Sequence, residues 1–261
     1  MRRTKIQVLP VDLPDPFASL LEGATIYDSS CSPEARVYFV DRGGGFYLKV
    51  AAKGTLAREA QMTAYFHSLG LGTEVLGYES VERDFLLTAK MRGEDCTDKI
   101  YLNDPKRLCD MIAERLRLLH ETIPIDCPVS NHTAEYIATV EENYRTGNYD
   151  KSQFPDSFGY RNAEDAIRVF REGKPYLKND TLLHGDYCLP NIMLDDWVFS
   201  GFIDLGNGGV GDRHVDLFWG AWTLRFNLKT NRYRERFLDA YGRDKVDEVM
   251  LDVIAAAEVF G

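Results

Sequence analysis

Along the first 92 residues apolar and polar positions form short strand-like runs; after about residue 100 the apolar spacing lengthens to three and four. Ala24–Tyr27, Arg36–Val40, Phe46–Val50, Glu74–Tyr78 and Arg83–Thr88 read as strands, the second and third joined as a hairpin through Asp41-Arg42-Gly43-Gly44-Gly45. Between strands, Thr55 is placed to N-cap a helix that Gly70 would end. Ala89-Lys90-Met91-Arg92-Gly93 breaks the pattern, as a hinge would. Asp104-Pro105 then opens a helix carrying Leu108, Met111, Ile112, Leu116 and Leu119, ending near His120 before Pro124. Further helices are predicted over 132–146, 163–172, 213–228, 231–241 and 244–259, with a polar, aromatic segment from Gly147 to Tyr160. The pattern predicts an α+β chain. A small antiparallel sheet with one helix occupies residues 1–92, and a mostly helical part occupies 93–261.

One stretch, Leu182 to Gly206 (LLHGDYCLPNIMLDDWVFSGFIDLG), departs from both periods. It reads as two short apolar strands. One ends at His184-Gly185-Asp186, and the other, Gly201-Phe202-Ile203, delivers Asp204. The loop between them is closed by Pro190-Asn191. Asp186, Asn191 and Asp204 are thereby predicted at the ends of neighbouring strands. Phosphoryl transfer with Mg²⁺ uses this inventory: one carboxylate accepts the proton of the attacking hydroxyl, while an amide and a second carboxylate hold the metal ions on the phosphates. The five-residue step from Asp186 to Asn191 matches the protein-kinase catalytic loop, and Asp204 falls where the metal-binding Asp of Asp-Phe-Gly would. A lone His-Gly-Asp is a weak signal and Asp-to-Asn pairs in loops are common turn chemistry; the combined spacing carries the reading. His184 is read as a structural residue bonding around the Asp204 segment, not as a base or metal ligand.

Lys49 sits in a strand between large apolar neighbours, where a buried ammonium needs a partner. Glu59 lies ten residues on, on the helical face of Ala60, Thr63 and Phe66, and so points inward. A strand lysine paired with a helix glutamate is the kinase device for gripping the α- and β-phosphates. The triple glycine 43–45 is not a phosphate loop, because no helix start with Lys-Ser/Thr follows it. Extended backbone at the hinge can bond an adenine edge, with Tyr47 as a stacking face. Only Asn207 to Arg213 separate the Asp204 strand from the next helix, too little for a peptide-docking platform, so the acceptor is expected to be a small molecule.

Composition narrows this further. A chain of 261 residues, 44% hydrophobic, is long enough to bury about three quarters of its unfolded surface. The net charge of −10 disfavours nucleic acid and attracts a polycationic small substrate. Five scattered cysteines without a Cys-x-x-Cys pair predict reduced thiols and a cytoplasmic location, with no zinc site. The N-terminus has no apolar core for a secretory signal, and no apolar run reaches the ~20 residues needed to span a bilayer.

HGDYCLPNIML and GFIDLG closely resemble the aminoglycoside 3'-phosphotransferase family. Gly185 stands at the place of the usual kinase Arg. The likeness runs from Cys31-Ser32-Pro33 to the C-terminus. It includes Ala35-Arg-Val-Tyr38, Tyr47-Leu-Lys49, Leu118-Leu-His120, Asp126-Cys-Pro128 and Asp212-Arg213 with Asp216. It implies a bilobal protein-kinase-like fold, an N-terminal nucleotide-binding lobe (1–92) and a C-terminal catalytic and acceptor-binding lobe (93–261). It also implies ATP- and Mg²⁺-dependent transfer of the γ-phosphate to a hydroxyl, the 3'-OH, of an aminoglycoside. ATP is the expected nucleotide, with GTP left open. Carried over by position, Asp186 would be the catalytic base, and Asn191 and Asp204 the Mg²⁺ ligands. Lys49 and Glu59 would serve the phosphates, Ser32 the β-phosphate region, Tyr47 the adenine face, and the Ala89 and Met91 backbone the adenine edge. Asp216 would buttress the catalytic loop, and Arg225, Glu258 and Phe260 would belong to the acceptor site. The departures sit on the acceptor side. Asn207 replaces an Arg, Ala257 replaces the first of two adjacent acids, and residues 226–230 lack the family's carboxylates. Fewer acids imply weaker or different binding of a multiply charged amine. Two alternatives stay open: a kinase of this fold acting on another small-molecule hydroxyl, and a nucleotide-binding module without catalysis.

Overall fold

The computed structural model describes residues 3–7, 9, 12–31, 35–149 and 159–261. The chain divides into two compact units, residues 1–94 with 193–207, and residues 95–192 with 208–261.

The first unit is built on a six-stranded antiparallel sheet of β1 (Thr4–Ile6), β2 (Thr25–Asp28), β3 (Ala35–Asp41), β4 (Phe46–Ala52), β5 (Val75–Ser80) and β6 (Arg83–Ala89), in the order β1-β2-β3-β4-β6-β5. Register follows side-chain alternation. Leu48 and Val50 of β4 face one way, toward Tyr38, Val40, Phe85 and Leu87. Helix α1 (Asp15–Leu21) covers that face with Phe17 and Leu21. Pro16 sits in the first turn of α1, where a missing N–H costs nothing. Ala51 faces the other way, toward Ala35 and Leu86 and toward Leu56 and Ala60 at the start of α2 (Ala57–Ser68). Tyr47 and Lys49 alternate onto that same side.

Thr55 does not cap α2. Its hydroxyl turns back to the Ala52 carbonyl (2.7 Å), and the helix begins after Leu56. The cap comes from a distant strand. The fully buried Asp84 carboxylate accepts from the Gly54 and Leu56 N–H groups (both 2.8 Å), Tyr78 Oη (3.0 Å) and Ser80 Oγ (2.6 Å). Burial alone would raise its pKa; the bonds from Ser80, Gly54, Leu56 and Tyr78 hold it below the usual carboxylate range. Gly70, at φ +71°, ends α2 as expected, with the Leu71 N–H returning to the Phe66 carbonyl.

The central stretch is more divided than its sequence indicates. β8 (Thr181–Leu183) pairs with β11 (Gly209–Gly211), not with the strand leading to Asp204. A 3₁₀ turn at Leu189–Asn191 leads into β9 (Ile192–Asp195), absent from the sequence reading, which hairpins onto β10 (Val198–Phe202) through Asp196 and Trp197. Both turn residues have positive φ (46° and 66°), the conformation of a tight hairpin turn. β9 also neighbours β7 (Glu94–Asp95). Gly93, at φ +78°, allows this approach: a Cβ there would lie 1.9 Å from the Leu194 carbonyl oxygen.

The second unit is helical: α3 (Lys99–Leu102), α4 (Pro105–His120), α5 (His132–Thr146), α6 (Ala163–Gly173), α7 (His214–Leu228), α8 (Arg234–Gly242) and α9 (Glu248–Ala257). Side-chain caps at Asp104, Asn131, Asn162 and Asp247 fix the starts of α4, α5, α6 and α9. One core joins Val140, Ile167, Phe170, Met250 and Val253 to Phe260 at the C-terminus. No helix among the described residues is long and apolar enough to cross a membrane.

Asp84→Ala strands the buried Leu56 N–H and the Gly54 N–H ahead of α2. The expected cost is about 3 kcal/mol, read as a fall in the thermal midpoint, with Asp84→Asn intermediate.

Candidate active site

In the first unit the strand–helix pair forms as its sequence predicts. Lys49 Nζ donates to Glu59 Oε2 (2.7 Å) and to Asp204 Oδ1 (2.9 Å). Burial opposes the Lys49 charge, but the Asp204 and Glu59 carboxylates outweigh it and raise the lysine pKa. Burial pushes the Glu59 carboxyl up despite Lys49, with the Asp204 charge adding to the push. Asp204 itself lies just past β10 in the left-handed region (φ +59°), a conformation Asp tolerates better than most residues. Its side chain is 52% exposed, so oxygen beyond the Lys49 contact is open to a ligand.

Tyr47 shares the Lys49 side of β4, with its ring 5.3 Å from that of Phe39. Its hydroxyl accepts from the Arg3 guanidinium (2.7 Å), which lies 3.8 Å over Phe39. Neither Arg3 nor Phe39 is singled out by sequence reasoning, because neither belongs to a motif. The Ala89 N–H is already used by the Glu74 carbonyl (2.9 Å), and the Ala89 carbonyl accepts from Thr73 Oγ1. Of the Ala89 backbone, only a second carbonyl lone pair remains for an adenine edge. Met91 is half-buried beside Gly201. Ser32 lies outside the described residues.

In the second unit Asp186 follows β8 on a loop tied down from below. Asp216, fully buried near the start of α7, accepts from the N–H groups of His184 and Gly185 (both 2.8 Å). Gly185 has φ +84°, which suits glycine and not the arginine of protein kinases. His184 is buried, and its Nδ1 accepts from the Asp186 N–H (3.3 Å). Asp216 also receives His120 Nε2 (3.2 Å), while His120 Nδ1 meets Tyr241 Oη (2.8 Å). A carboxylate only accepts, so the His120 proton is on Nε2 and Nδ1 accepts from Tyr241. Burial lowers the His120 pKa and keeps it neutral. Burial would raise Asp216; the hydrogen bonds from His120 and from the His184 N–H bring it below the ordinary value.

Asn191 Nδ2 donates to the Asp186 carboxylate (2.8 Å) and carbonyl (3.0 Å). This orients the Asp186 acid and leaves Asn191 Oδ1 as a hard oxygen donor. Thr223 Oγ1 on α7 accepts from Leu189 N–H (3.1 Å), fixing the far side of the loop. Cys188 lies within the loop, and burial, with the Asp186 charge, raises its thiol pKa steeply. Among the described residues no three His, Cys, Asp or Glu side chains gather as a metal cage. Asn191 Oδ1 and the exposed Asp204 carboxylate are each an oxygen donor of the kind Mg²⁺ takes alongside phosphates and water.

On the acceptor side the three expected residues separate. Glu258, after α9, accepts from Tyr136 Oη (2.7 Å) and from the Trp219 side chain. Burial, together with the Asp186 charge, raises its carboxyl to about 7. Glu258 thus belongs with Asp186. Phe260 does not: its ring is fully buried against Tyr144 and Tyr149, where it anchors the chain end. Arg225 is exposed on α7, about half a turn round the helix from Asp216 and Thr223. The structure therefore does not group it with the catalytic loop.

The profile of the phosphotransferase enzyme family matches residues 32–251. The chain belongs to this family. It is 52% identical, over 249 residues covering 95% of each chain, to a probable aminoglycoside 3'-phosphotransferase of Lactococcus lactis subsp. lactis (strain IL1403). The crystal structure of an aminoglycoside-3'-phosphotransferase of type VIII superposes with a TM-score of 0.77 at 23% identity, covering 94% of this chain and 97% of the other. An aminoglycoside phosphotransferase from Streptomyces rimosus, solved with ADP and streptomycin, superposes at 0.69 and 22% identity, covering 85% and 90%. The α+β fold of this phosphotransferase-family chain is thus the kinase-like one its motifs imply.

Within the family member, Asp216→Ala removes the acceptor for two buried N–H groups and for His120. The expected outcome is a loss of about 3–5 kcal/mol in unfolding free energy, measured by urea denaturation. Tyr241→Phe, which removes one hydroxyl, costs about 1 kcal/mol in the same assay.

Proposed function

We propose that this chain transfers the γ-phosphate of ATP to a hydroxyl of an aminoglycoside, the 3'-hydroxyl. The observation that carries this reading is the pairing of an ordered base with an acidic acceptor group. Asp186 is held by Asn191, and Glu258 lies within reach of its charge. An acceptor bearing both hydroxyl and ammonium groups answers to that combination. The 52% identity to the Lactococcus protein supports it.

In this reading residues 1–92 form the nucleotide-binding lobe and 93–261 the catalytic and acceptor-binding lobe. Lys49, oriented by Glu59, grips the α- and β-phosphates, and Tyr47 stacks on the base. Asp186 takes the proton as the acceptor oxygen bonds to the γ-phosphorus. The bond from that phosphorus to the bridging oxygen breaks, and ADP leaves. Asn191 Oδ1 and the Asp204 carboxylate would hold Mg²⁺, which when bound neutralises charge on the phosphates. Because the transition state is loose, positioning and electrostatics supply most of the rate. Five free thiols suit a reducing cytoplasm.

A second acceptor class is favoured by one observation, the lack of carboxylates over residues 226–230. A panel of hydroxyl compounds assayed by ADP release decides between them. Turnover of aminoglycosides supports the first reading; turnover confined to other hydroxyl compounds replaces it. Asp186→Ala is expected to lower kcat by at least ~10²-fold with the nucleotide KM little changed. Near-normal turnover by this variant would remove Asp186 from the role of base.

Glu258 adds a pH signature. With its carboxyl at about 7, it is neutral below that pH and an anion above it. The KM for a permanently cationic acceptor should therefore fall as pH rises from 6 to 8. Glu258→Gln should flatten that profile while leaving the pH dependence of kcat in place.

A further inference from the structure

The outer strand β1 lies beyond the stretch that the family profile matches, residues 32–251. It pairs with β2 at Thr4–Asp28, Lys5–Tyr27 and Ile6–Ile26. Ile6 and Ile26 turn to the core under α1. Alternation therefore puts Lys5 and Tyr27 on the opposite side, which is that of Lys49. On that side the register runs straight across the sheet: Tyr27 opposes Phe39, and Phe39 opposes Tyr47. Their ring centroids stand 6.1 and 5.3 Å apart.

Arg3, one residue before β1, reaches onto this aromatic row. Its guanidinium carbon lies 3.8 Å from the centre of the buried Phe39 ring, close enough for a cation–π contact, and its Nη2 donates to Tyr47 Oη (2.7 Å). An exposed arginine is ordinarily a solvated surface group. Two features set this one apart. No carboxylate pairs with it among the described residues, so the two rings alone fix its place. The ring it holds is also the one assigned above to the nucleotide base. A tyrosine ring turns about a broad terminal torsion and samples a range of tilts when anchored only at Cβ. Tyr47 is held at both ends, by β4 and by Arg3. A ring ordered before the base arrives loses less freedom on stacking, and the difference appears as affinity.

We infer that Arg3 is a positioning residue for the nucleotide: through the Tyr47 hydroxyl it fixes the ring on which the base stacks, and it touches no reacting atom. The inference rests on the nucleotide reading proposed above and is independent of the acceptor.

The test is a double-mutant cycle on Arg3→Ala and Tyr47→Phe, with ADP binding followed by calorimetry. Loss of one hydrogen bond corresponds to an ADP affinity about fivefold weaker in each single variant. The double variant should be no weaker than either, because both changes remove the same contact. A further loss from Arg3→Ala in the Tyr47→Phe background overturns the role, since Arg3 then acts by another route. Inorganic pyrophosphate, which has no base, should bind the wild-type chain and Tyr47→Phe alike; a parallel weakening marks a general disturbance of the sheet and overturns the inference. In turnover, with whichever hydroxyl compound is accepted, Arg3→Ala should raise the KM for ATP and leave kcat in place; a fall in kcat at unchanged KM contradicts the role. A lowered thermal midpoint with ADP affinity intact makes Arg3 merely structural. If ADP does not bind the wild-type chain, the nucleotide reading itself falls; if ADP binds and neither single variant weakens it, only the role of Arg3 falls.

Discussion

A carboxylate sealed from water governs the catalytic loop. Asp216 spends its acceptor capacity on the two backbone N–H groups that precede Asp186 and on His120. A buried anion is costly unless bonded throughout. Each of its donors is therefore held as firmly as it is. The loop cannot shift without leaving this charge short, so the direction of the Asp186 side chain is set from beneath, before any substrate arrives. Tyr241 and His120 extend the constraint to α8 and α4, so two helices remote in sequence help fix one backbone segment.

The first unit holds a second, half-buried charge of opposite sign. Lys49 is placed by strand alternation, Glu59 by a helix whose start depends on Asp84, and Asp204 by the end of a hairpin. The three arrive from separate elements, and the two acids share the one ammonium. An interior strand, a helix and a turn are thus coupled through electrostatics.

Much of this is legible in the residues because the same physics shapes both. Alternation gives the sheet, three- and four-residue spacing gives the helices, and Asp104-Pro105 marks the start of α4 to the residue. What escapes has a local cause. β9 is hidden because a hairpin turn built from Asp196 and Trp197 needs positive φ at residues that do not advertise it. The cap of α2 is invisible because Asp84 lies 28 positions from the N–H it serves. Phe260 shows why a family position does not fix a role: an aromatic ring at a chain end can be an anchor as easily as a contact, and only burial distinguishes the two. Glu258 is found by position alone, but its raised pKa comes from burial and the charge of Asp186, against the bonds from Tyr136 and Trp219, all set by residues remote in sequence.

Cys188 has a quieter implication. Thiols are attacked by peroxides and alkylating agents as anions, and burial beside a carboxylate keeps this one protonated. A sulfur set two residues from the catalytic acid is thereby chemically dormant. An oxidant or alkylating agent should therefore react with Cys188 more slowly than with an ionised thiol in the same place.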